Sequence, residues 1–204
     1  MAVRNWALAT EDPLSEAIGL RLLAELPDRI EVHPKLQRGG SGYLRARMKS
    51  LKQISRRQGV LILTDLDRKK CPLELLEDWL EGEPTPPSLL LRVAVRTVES
   101  WALSDHEGMR KLIGPHGTLP QRPDELPNPK QHLLKLAQRA PREVRFDLVK
   151  QDGAMASQGI GYNACLSDWI RATWSPGRAA KLSPSLRRTR ERLRSRAAQL
   201  TSGS

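Results

Sequence analysis

The sequence predicts an α/β protein with a mostly parallel sheet flanked by helices. Up to residue 105, apolar runs of strand length alternate with segments of helical periodicity. Strands separated by helices imply a mostly parallel sheet that is covered on both faces. Acidic residues directly follow several of these runs. They therefore fall at the carboxyl ends of strands, where parallel sheets form their binding sites.

The first strand and helix are clear in the sequence. Residues 3–10 are predicted as a strand, and Asp12 followed by Pro13 is a helix-start signal. The helix is predicted over 13–26. Its apolar face consists of Leu14, Ile18, Leu22 and Leu26. A short second strand is predicted over 28–33.

A basic segment separates the second and third strands. RGGSG at 38–42 is either a loop that approaches a phosphate backbone or a plain connector. Residues 43–58 are predicted as a basic amphipathic helix ending at Gly59. Its candidate nucleic-acid-binding residues are Arg45, Arg47, Lys49, Lys52 and Arg56.

Two further strands are predicted over 60–64 and 88–95, with a helix over 73–80 between them. Residues 97–105 have helical character. Beyond that, a Pro-rich stretch precedes a helix near 130–139 and an arginine-rich helical end. We therefore expect an α/β core over 1–113, with residues 114–204 forming a Pro-rich segment and a helical, basic extension packed on it.

Charge and composition limit the classes of function. The 204 residues carry a net charge of +11, and 171–204 hold nine Arg or Lys against the single acid Glu191. This tail, with Arg187 and Arg188 as candidate contacts, fits either a polyanionic partner or a solvated basic helix. No run approaches the roughly 18 apolar residues of a membrane span, and the first residues show no signal-peptide pattern. Cys71 and Cys165 lack metal-ligand spacing, so we expect a reduced cytoplasmic setting. The sequence leaves homo-oligomerisation open.

The most informative segment is VLILTDLDRKKC at 60–71, where an apolar run ends in Asp65 and Asp67. On an extended backbone, residues two apart point the same way. Two carboxylates held so close repel unless a cation such as Mg²⁺ lies between them. Alternatively, Asp65 caps the following helix. The segment alone does not decide between these interpretations.

Other acids occupy comparable positions. Glu11 follows the first strand, Glu99 follows the fourth, and Asp105 lies at the end of the next helical segment. Glu16 lies one helical turn beyond Asp12, so it could face the same crevice and is a further candidate metal ligand. Convergence of these acids favours a metal site over chance surface acids for Glu11, Asp65 and Asp67. For Glu99 and Asp105, capping or pairing within a helix remains an equal alternative.

These residues resemble the TOPRIM family. A strand ending in Glu11, a helix, and an apolar strand ending in Asp65-x-Asp67 are similar to the signature shared by topoisomerases, bacterial primases and overcoming-lysogenization-defect (OLD) nucleases. AVRTVESWALSD at 94–105, NPK at 128–130 and SPSLRR at 183–188 look like segments of small stand-alone TOPRIM-like proteins encoded beside AAA-type ATPases. The resemblance covers roughly residues 1–140. It departs from the family at Asp12, where Gly usually follows the glutamate.

The resemblance implies roles for individual residues. Glu11 would be a metal ligand or general base, and Asp65 and Asp67 would bind Mg²⁺ or Mn²⁺. A second metal position would be completed by Glu99 and Asp105. Lys130 would steady the scissile phosphate.

The function implied by the resemblance is divalent-metal-dependent phosphodiester hydrolysis of DNA or RNA. An AAA-type ATPase partner and a role in anti-phage defence are implied in the same way. Two alternatives remain: a metal-binding nucleic-acid-binding or regulatory subunit that does not cleave, and nucleotidyl transfer like that of primases. The scattered His residues and the two Cys are not expected to be catalytic, and Trp79, Trp101, Trp169 and Trp174 are predicted core residues.

Overall fold

The computed structural model describes residues 3–37, 40–67, 69, 71–150 and 156–202. Four strands form a parallel sheet in the order β2-β1-β3-β4. They are β1 (Val3–Thr10), β2 (Arg29–Gln37), β3 (Gly59–Asp65) and β4 (Leu89–Ala94). The predicted α/β class, with a parallel sheet flanked by helices, is confirmed.

The helices cover both faces of this sheet. Those between the strands are α1 (Pro13–Leu23), α2 (Gly40–Ala46), α3 (Met48–Ile54) and α4 (Pro72–Leu80). Those that follow β4 are α5 (Glu99–Leu103), α6 (His106–Ile113), α7 (Pro129–Ala137), α8 (Arg142–Leu148), α9 (Tyr162–Ala172), α10 (Pro176–Ala179) and α11 (Pro184–Ser202). A short antiparallel hairpin, β5 (Val149–Lys150) with β6 (Ser157–Gln158), lies between α8 and α9.

Alternate residues of the strands feed two separate apolar clusters. On one face, Leu8 of β1 and Leu63 of β3 pack with α1, α5, α9 and α11. On the other, Ala9 and Ile62 pack with α2, α3 and α4. Because both faces are covered, β3 is buried along almost its whole length, as its continuous apolar sequence predicts.

The tryptophans predicted as core residues are buried. These residues are Trp79, Trp101, Trp169 and Trp174. Three of their indole nitrogens donate hydrogen bonds inside the protein: Trp101 Nε1 to Ser185 Oγ, Trp169 Nε1 to the Gly108 carbonyl and Trp174 Nε1 to the Trp101 carbonyl. These bonds join α5 and α6 to the helices near the end of the chain.

Several element bounds differ from those predicted. The second strand continues past Pro34 to Gln37, which an edge strand tolerates because its outer amides need no partner. The helix predicted over 43–58 begins at Gly40, turns at Arg47 and ends at Ile54. Of the predicted loop 38–42, residues 38 and 39 lie outside the described residues. The helix predicted over 97–105 ends at Leu103, since Asp105 caps α6 by accepting a hydrogen bond from the Gly108 amide.

The connections place a crevice between β1 and β3. From β1 the chain passes through α1 to β2 on one side, whereas from β3 it passes through α4 to β4 on the other. α1 and α4 lie on opposite faces of the sheet. The carboxyl ends of two strands whose connections diverge in this way form the usual ligand crevice of an open parallel sheet.

Helices α9 and α11, from the part of the chain after residue 113, pack on the α1 face of the same sheet. Leu166 of α9 and Leu186 of α11 share an apolar cluster with Ile18 of α1. Glu25, just after α1, receives two hydrogen bonds from the Arg190 guanidinium. Among the described residues, no helix is both long and apolar enough to cross a bilayer.

Candidate functional site

Glu11 and Asp65 meet at the crevice between β1 and β3. Glu11 Oε1 accepts hydrogen bonds from the Thr64 hydroxyl and, at 2.9 Å, from the Asp65 backbone amide. The two strands are neighbours, with Ala9 of β1 opposite Ile62 of β3. Their register therefore brings the residues just beyond β1 beside the last residues of β3. Two carboxylates separated by more than fifty residues in sequence are placed side by side.

Asp65 is also tied to the neighbouring strand connection. Its Oδ1 accepts a hydrogen bond from the Val98 amide, immediately before α5, at 2.9 Å. Asp65 thus holds the start of α5, and it does not cap α4, the next helix in the chain. That helix begins after Cys71, whose side chain makes no capping bond.

The charge balance of this pair is unfavourable. Burial raises the pKa of Asp65 well above its ordinary value, and the charges of Glu99, Glu11, Asp12 and Asp67 raise it further. The pKa of Glu11 is also raised by burial, which outweighs the opposing hydrogen bonds from Thr64 and Asp65. Several carboxylates are therefore close enough to repel one another.

Asp67 lies in a turn beyond the strand. β3 ends at Asp65, and Asp67 is exposed with a φ of 49°, in the left-handed region that Asp tolerates better than most residues. The expected alternation along one extended strand therefore stops before Asp67. Its charge still raises the pKa of Glu11 and of Asp65. A groove of about 420 Å³ opens beside Asp65 and Asp67, with Trp79 in its lining.

Glu99 forms a second part of the site with residues distant in sequence. It is 5% exposed, and its Oε1 accepts a hydrogen bond of 2.9 Å from the Tyr162 hydroxyl. The Lys130 ammonium lies 4.0 Å from the same oxygen and 5.0 Å from the centre of the Tyr162 ring. Burial raises the pKa of Tyr162, and the charge and hydrogen bond of Glu99 raise it further, so the phenol stays a donor. The structure thus joins the predicted residues Glu99 and Lys130.

The structure places Glu16 and Asp105 in other surroundings. Glu16 Oε1 lies 3.7 Å from the Lys35 ammonium. Asp105 is fully buried, and the Arg178 guanidinium donates to both of its oxygens at 2.7 and 2.8 Å. Neither acid is among the charges that raise the pKa of Glu11 or Asp65. This placement gives Asp105 a structural partner and speaks against the predicted metal-binding role of both residues.

Two residues of the site were absent from the sequence-based prediction. Thr64 carried a local signal, since a hydroxyl residue ends the apolar run just before Asp65. Tyr162 carried none, because its partner Glu99 is 63 residues away in the chain.

The donor chemistry of the crevice fits a hard divalent cation, because Glu11 and Asp65 supply carboxylate oxygens. Within the described ranges, however, no three acidic, His or Cys side chains are grouped closely enough to hold a metal ion. Mg²⁺ in proteins is commonly bound by one or two carboxylates, with water and substrate phosphates completing its shell. The two residues present meet that smaller requirement.

The predicted basic residues of the 43–58 segment divide into paired and exposed ones. Arg45 lies 2.6 Å from Asp78, and Lys52 lies 2.5 Å from Glu83. The Arg47 guanidinium stacks 5.1 Å from the centre of the Tyr43 ring. Lys49 and Arg56 are exposed. Part of the positive charge expected to meet nucleic acid is therefore engaged by the protein's own acids.

The predicted tail residues Arg187 and Arg188 lie on α11 and are exposed. The buried side of this helix includes Leu186, Leu193 and Ala197, spaced so that they fall on one face. The basic segment is thus a packed helix with an outward charged side.

No protein-family model, curated protein or solved structure matches the chain.

Proposed function

We propose that the protein is a divalent-metal-dependent nuclease that hydrolyses phosphodiester bonds of DNA or RNA. The observation that carries this proposal is the meeting of Glu11 and Asp65 at the crevice between β1 and β3, with the pKa of each carboxyl raised. Carboxylates whose pKa is perturbed by burial and like charge are typical of functional sites. The resemblance of the same residues to the TOPRIM signature gives the reaction class.

Glu11 and Asp65 would hold the cation, Mg²⁺ or Mn²⁺. When bound, it would supply charge neutralisation at the phosphate and acidify a water molecule. The protein's own contacts fix these ligands in place. Thr64 and the Asp65 amide orient Glu11, and the Val98 amide orients Asp65. Hydrogen-bonded ligands of this kind are pre-organised, which reduces the cost of binding.

Lys130 would contact the substrate phosphate. Its side chain is 41% exposed, so the ammonium can reach a ligand while it remains beside Glu99. Tyr162 holds Glu99 from the buried side and keeps that carboxylate in position. The overall charge of +11 favours a polyanionic substrate. The AAA-type ATPase partner and the role in defence against foreign nucleic acid rest on the family resemblance.

A cleavage assay tests this function. Labelled single-stranded DNA, duplex DNA and RNA are incubated with wild-type protein and Mg²⁺ or Mn²⁺. We expect cleavage by the wild type, and a fall of at least about 100-fold in Asp65→Asn and Glu11→Gln, since even outer-shell changes cost 10–100-fold at metal sites.

Glu16→Gln is the matched control, because it removes one carboxylate charge from the same region but beside Lys35. We expect it to cleave like the wild type. Cleavage that survives both Asp65→Asn and Glu11→Gln would contradict the proposed site, as would equal losses in all three variants.

A second candidate is a subunit that binds nucleic acid and metal without cutting. It is favoured by the exposed arginines of α11, which can bind a polyanion whether or not the acidic crevice cleaves it. Salt-sensitive binding of the same labelled substrates without cleavage would support it. Incorporation of nucleotides on a template would instead support primase-like transfer.

A further inference from the structure

Arg92 is an unusual residue for its position in the sheet. It lies in β4, whose other five residues are apolar and buried, and its own side chain is half-buried. Its Nε donates to the Thr189 hydroxyl of α11 at 3.3 Å. Arginine is seldom withdrawn from water without a carboxylate partner. Here the partner within the described residues is a neutral hydroxyl.

Four of the six arginines of α11 fall into two groups. Arg190 donates two hydrogen bonds to Glu25, at 2.7 and 2.8 Å, and Arg194 lies 3.7 Å from the same carboxylate. Arg188 and Arg192 are exposed, one helical turn apart, and have no ion pair in the part of the chain that the structure describes. The first group fastens α11 to α1, and the second is available to a ligand.

Arg188 directly precedes Thr189, the residue that Arg92 contacts, and Arg192 follows Thr189 by about one helical turn. Burial lowers the pKa of Arg92, and the positive charges of Arg192 and Arg188 lower it further. Like charges one turn apart on a helix destabilise it, and a third charge facing them adds to the repulsion. The fold therefore gathers three guanidinium groups that repel one another.

The group lies on the same face of the sheet as Asp65. Ala94 is paired with Asp65, and Arg92 precedes Ala94 by two residues, so its side chain falls on the same side. With a rise of about 3.3 Å per residue and strands about 4.8 Å apart, the Cα atoms of Arg92 and Asp65 are separated by about 8 Å. An extended polyanion at the acidic crevice could continue along the β4 edge.

We propose that Arg92, Arg188 and Arg192 form a phosphate-binding cluster for the backbone of a nucleic acid. The planar guanidinium fork matches the oxygens of a phosphate, and an anion relieves the repulsion among the three arginines. Nucleic acid as the ligand rests on the proposed function, whereas the anion-binding character rests on the contacts themselves. The cluster, more than the partly paired 43–58 segment, is then the main phosphate contact outside the acidic crevice.

Binding of a fluorescein-labelled single-stranded 20-mer DNA tests the cluster, measured by anisotropy in EDTA over a range of salt concentrations. Arg188→Gln combined with Arg192→Gln should weaken binding by at least about tenfold, since each lost bond is to a charged group. The slope of log affinity against log salt should become shallower by about 1.4, the value for two lost phosphate contacts on a single strand.

Lys49→Gln combined with Arg56→Gln is the matched control, because it removes the same charge from the exposed part of the 43–58 segment. We expect its affinity to stay within about threefold of the wild type. Equal weakening by the two double variants would overturn the cluster, as would wild-type protein that does not bind. Polyglutamate of equal charge is a second competitor. If it displaces the labelled DNA as effectively as unlabelled DNA does, nucleic acid is not the specific ligand of the cluster.

Urea unfolding separates binding from folding. Removing two repelling charges should leave the Arg188→Gln, Arg192→Gln protein as stable as the wild type or more stable. Weaker binding accompanied by a lower urea midpoint would instead assign the arginines a structural role.

The EDTA assay is independent of cleavage. Wild-type protein that binds as expected and never cuts supports the cluster and contradicts the nuclease function. If the wild-type protein cuts and the two double variants bind equally well, the nuclease function is supported and the cluster is contradicted.

Discussion

Asp65 and Asp105 each accept a hydrogen bond from a backbone amide at the start of a helix, yet their surroundings are opposite. Asp105 accepts hydrogen bonds from the Gly108 amide, the Ser175 amide and the Arg178 guanidinium. The hydrogen bond that Arg178 itself makes to Asp105 is the largest cause of the raised pKa of Arg178. The Asp65 side chain accepts one hydrogen bond, from the Val98 amide, and it lies close to other carboxylates. A buried carboxylate with a complete set of donors stabilises the fold. One held among like charges costs stability, and that cost indicates a functional role.

Glu99 is intermediate between these two cases. It has one hydroxyl donor in Tyr162 and one cation, Lys130, at 4.0 Å. The three carboxylates therefore form a series, from fully paired Asp105 through Glu99 to Asp65. Substitutions that alter the contacts of each carboxylate should change the free energy of unfolding in that order, with the largest loss at Asp105.

The largest effect is expected for Asp105→Asn. The amide NH₂ would face the Ser175 amide or the Arg178 guanidinium, donor against donor, in a site with no exposure. We expect a loss of about 3 kcal/mol, the lower end for a broken buried ion pair, since Arg178 is one third exposed. Urea unfolding followed by circular dichroism measures it. A loss below about 1 kcal/mol would mean that the pair contributes no more than a surface salt bridge.

An intermediate effect is expected for Tyr162→Phe. This change removes the hydroxyl that donates to buried Glu99 and keeps the ring beneath Lys130. We expect a loss of about 2 kcal/mol, typical of a hydrogen bond to a charged group.

Tyr43→Phe is the matched control for that change. Its ring also lies beneath a cation, Arg47, but Tyr43 is only half-buried and its hydroxyl has no hydrogen-bond partner among the described residues. Its free energy of unfolding should change by less than about 0.5 kcal/mol. Equal changes in the two variants would show that the hydrogen bond from Tyr162 to Glu99 does not contribute to stability.

The difference between Asp65 and Asp105 also explains how far sequence alone could reach. Apolar runs predicted β3 and β4, because buried parallel strands consist of consecutive apolar residues. Glu11 and Asp65 directly follow predicted strands. They were correctly expected to lie side by side, because the carboxyl ends of neighbouring parallel strands meet at one edge of the sheet. The surroundings of Asp105 were not predictable, since Arg178 lies 73 residues further along the chain.

Helix phase was the other limit. Glu16 lies one turn from Asp12, which predicted that it faces the crevice, yet it lies beside Lys35 of β2. Asp12 itself caps α1 through the Ser15 amide. The two-residue spacing of Asp65 and Asp67 similarly suggested one extended strand, but Asp67 lies in a turn with a positive φ. Residues beyond the ends of regular elements are thus placed by contacts that local periodicity does not contain.

The smallest effect among the three carboxylates, and a gain in stability, is expected for Asp65→Asn measured in EDTA. The pKa of Asp65 is raised in the folded protein, so the folded state binds more protons than the unfolded state above the ordinary value of 3.8. Wild-type stability therefore falls as the pH rises from that value through the raised pKa, and the penalty is complete above it. An asparagine side chain cannot ionise, and the variant should be more stable than the wild type at neutral pH by about 1 kcal/mol, as is usual when a functional group is neutralised.

The gain should disappear at low pH, where Asp65 is protonated in both states. Urea unfolding at several pH values between about 3 and 8 measures the difference between the two proteins. Glu16→Gln, which removes a carboxylate beside Lys35, should give no gain at neutral pH. If Asp65→Asn instead loses stability at neutral pH, as expected for Asp105→Asn, its bond to the Val98 amide outweighs the repulsion. Asp65 would then belong with Asp105 as a structural carboxylate, and the acidic crevice would lose its main evidence of function.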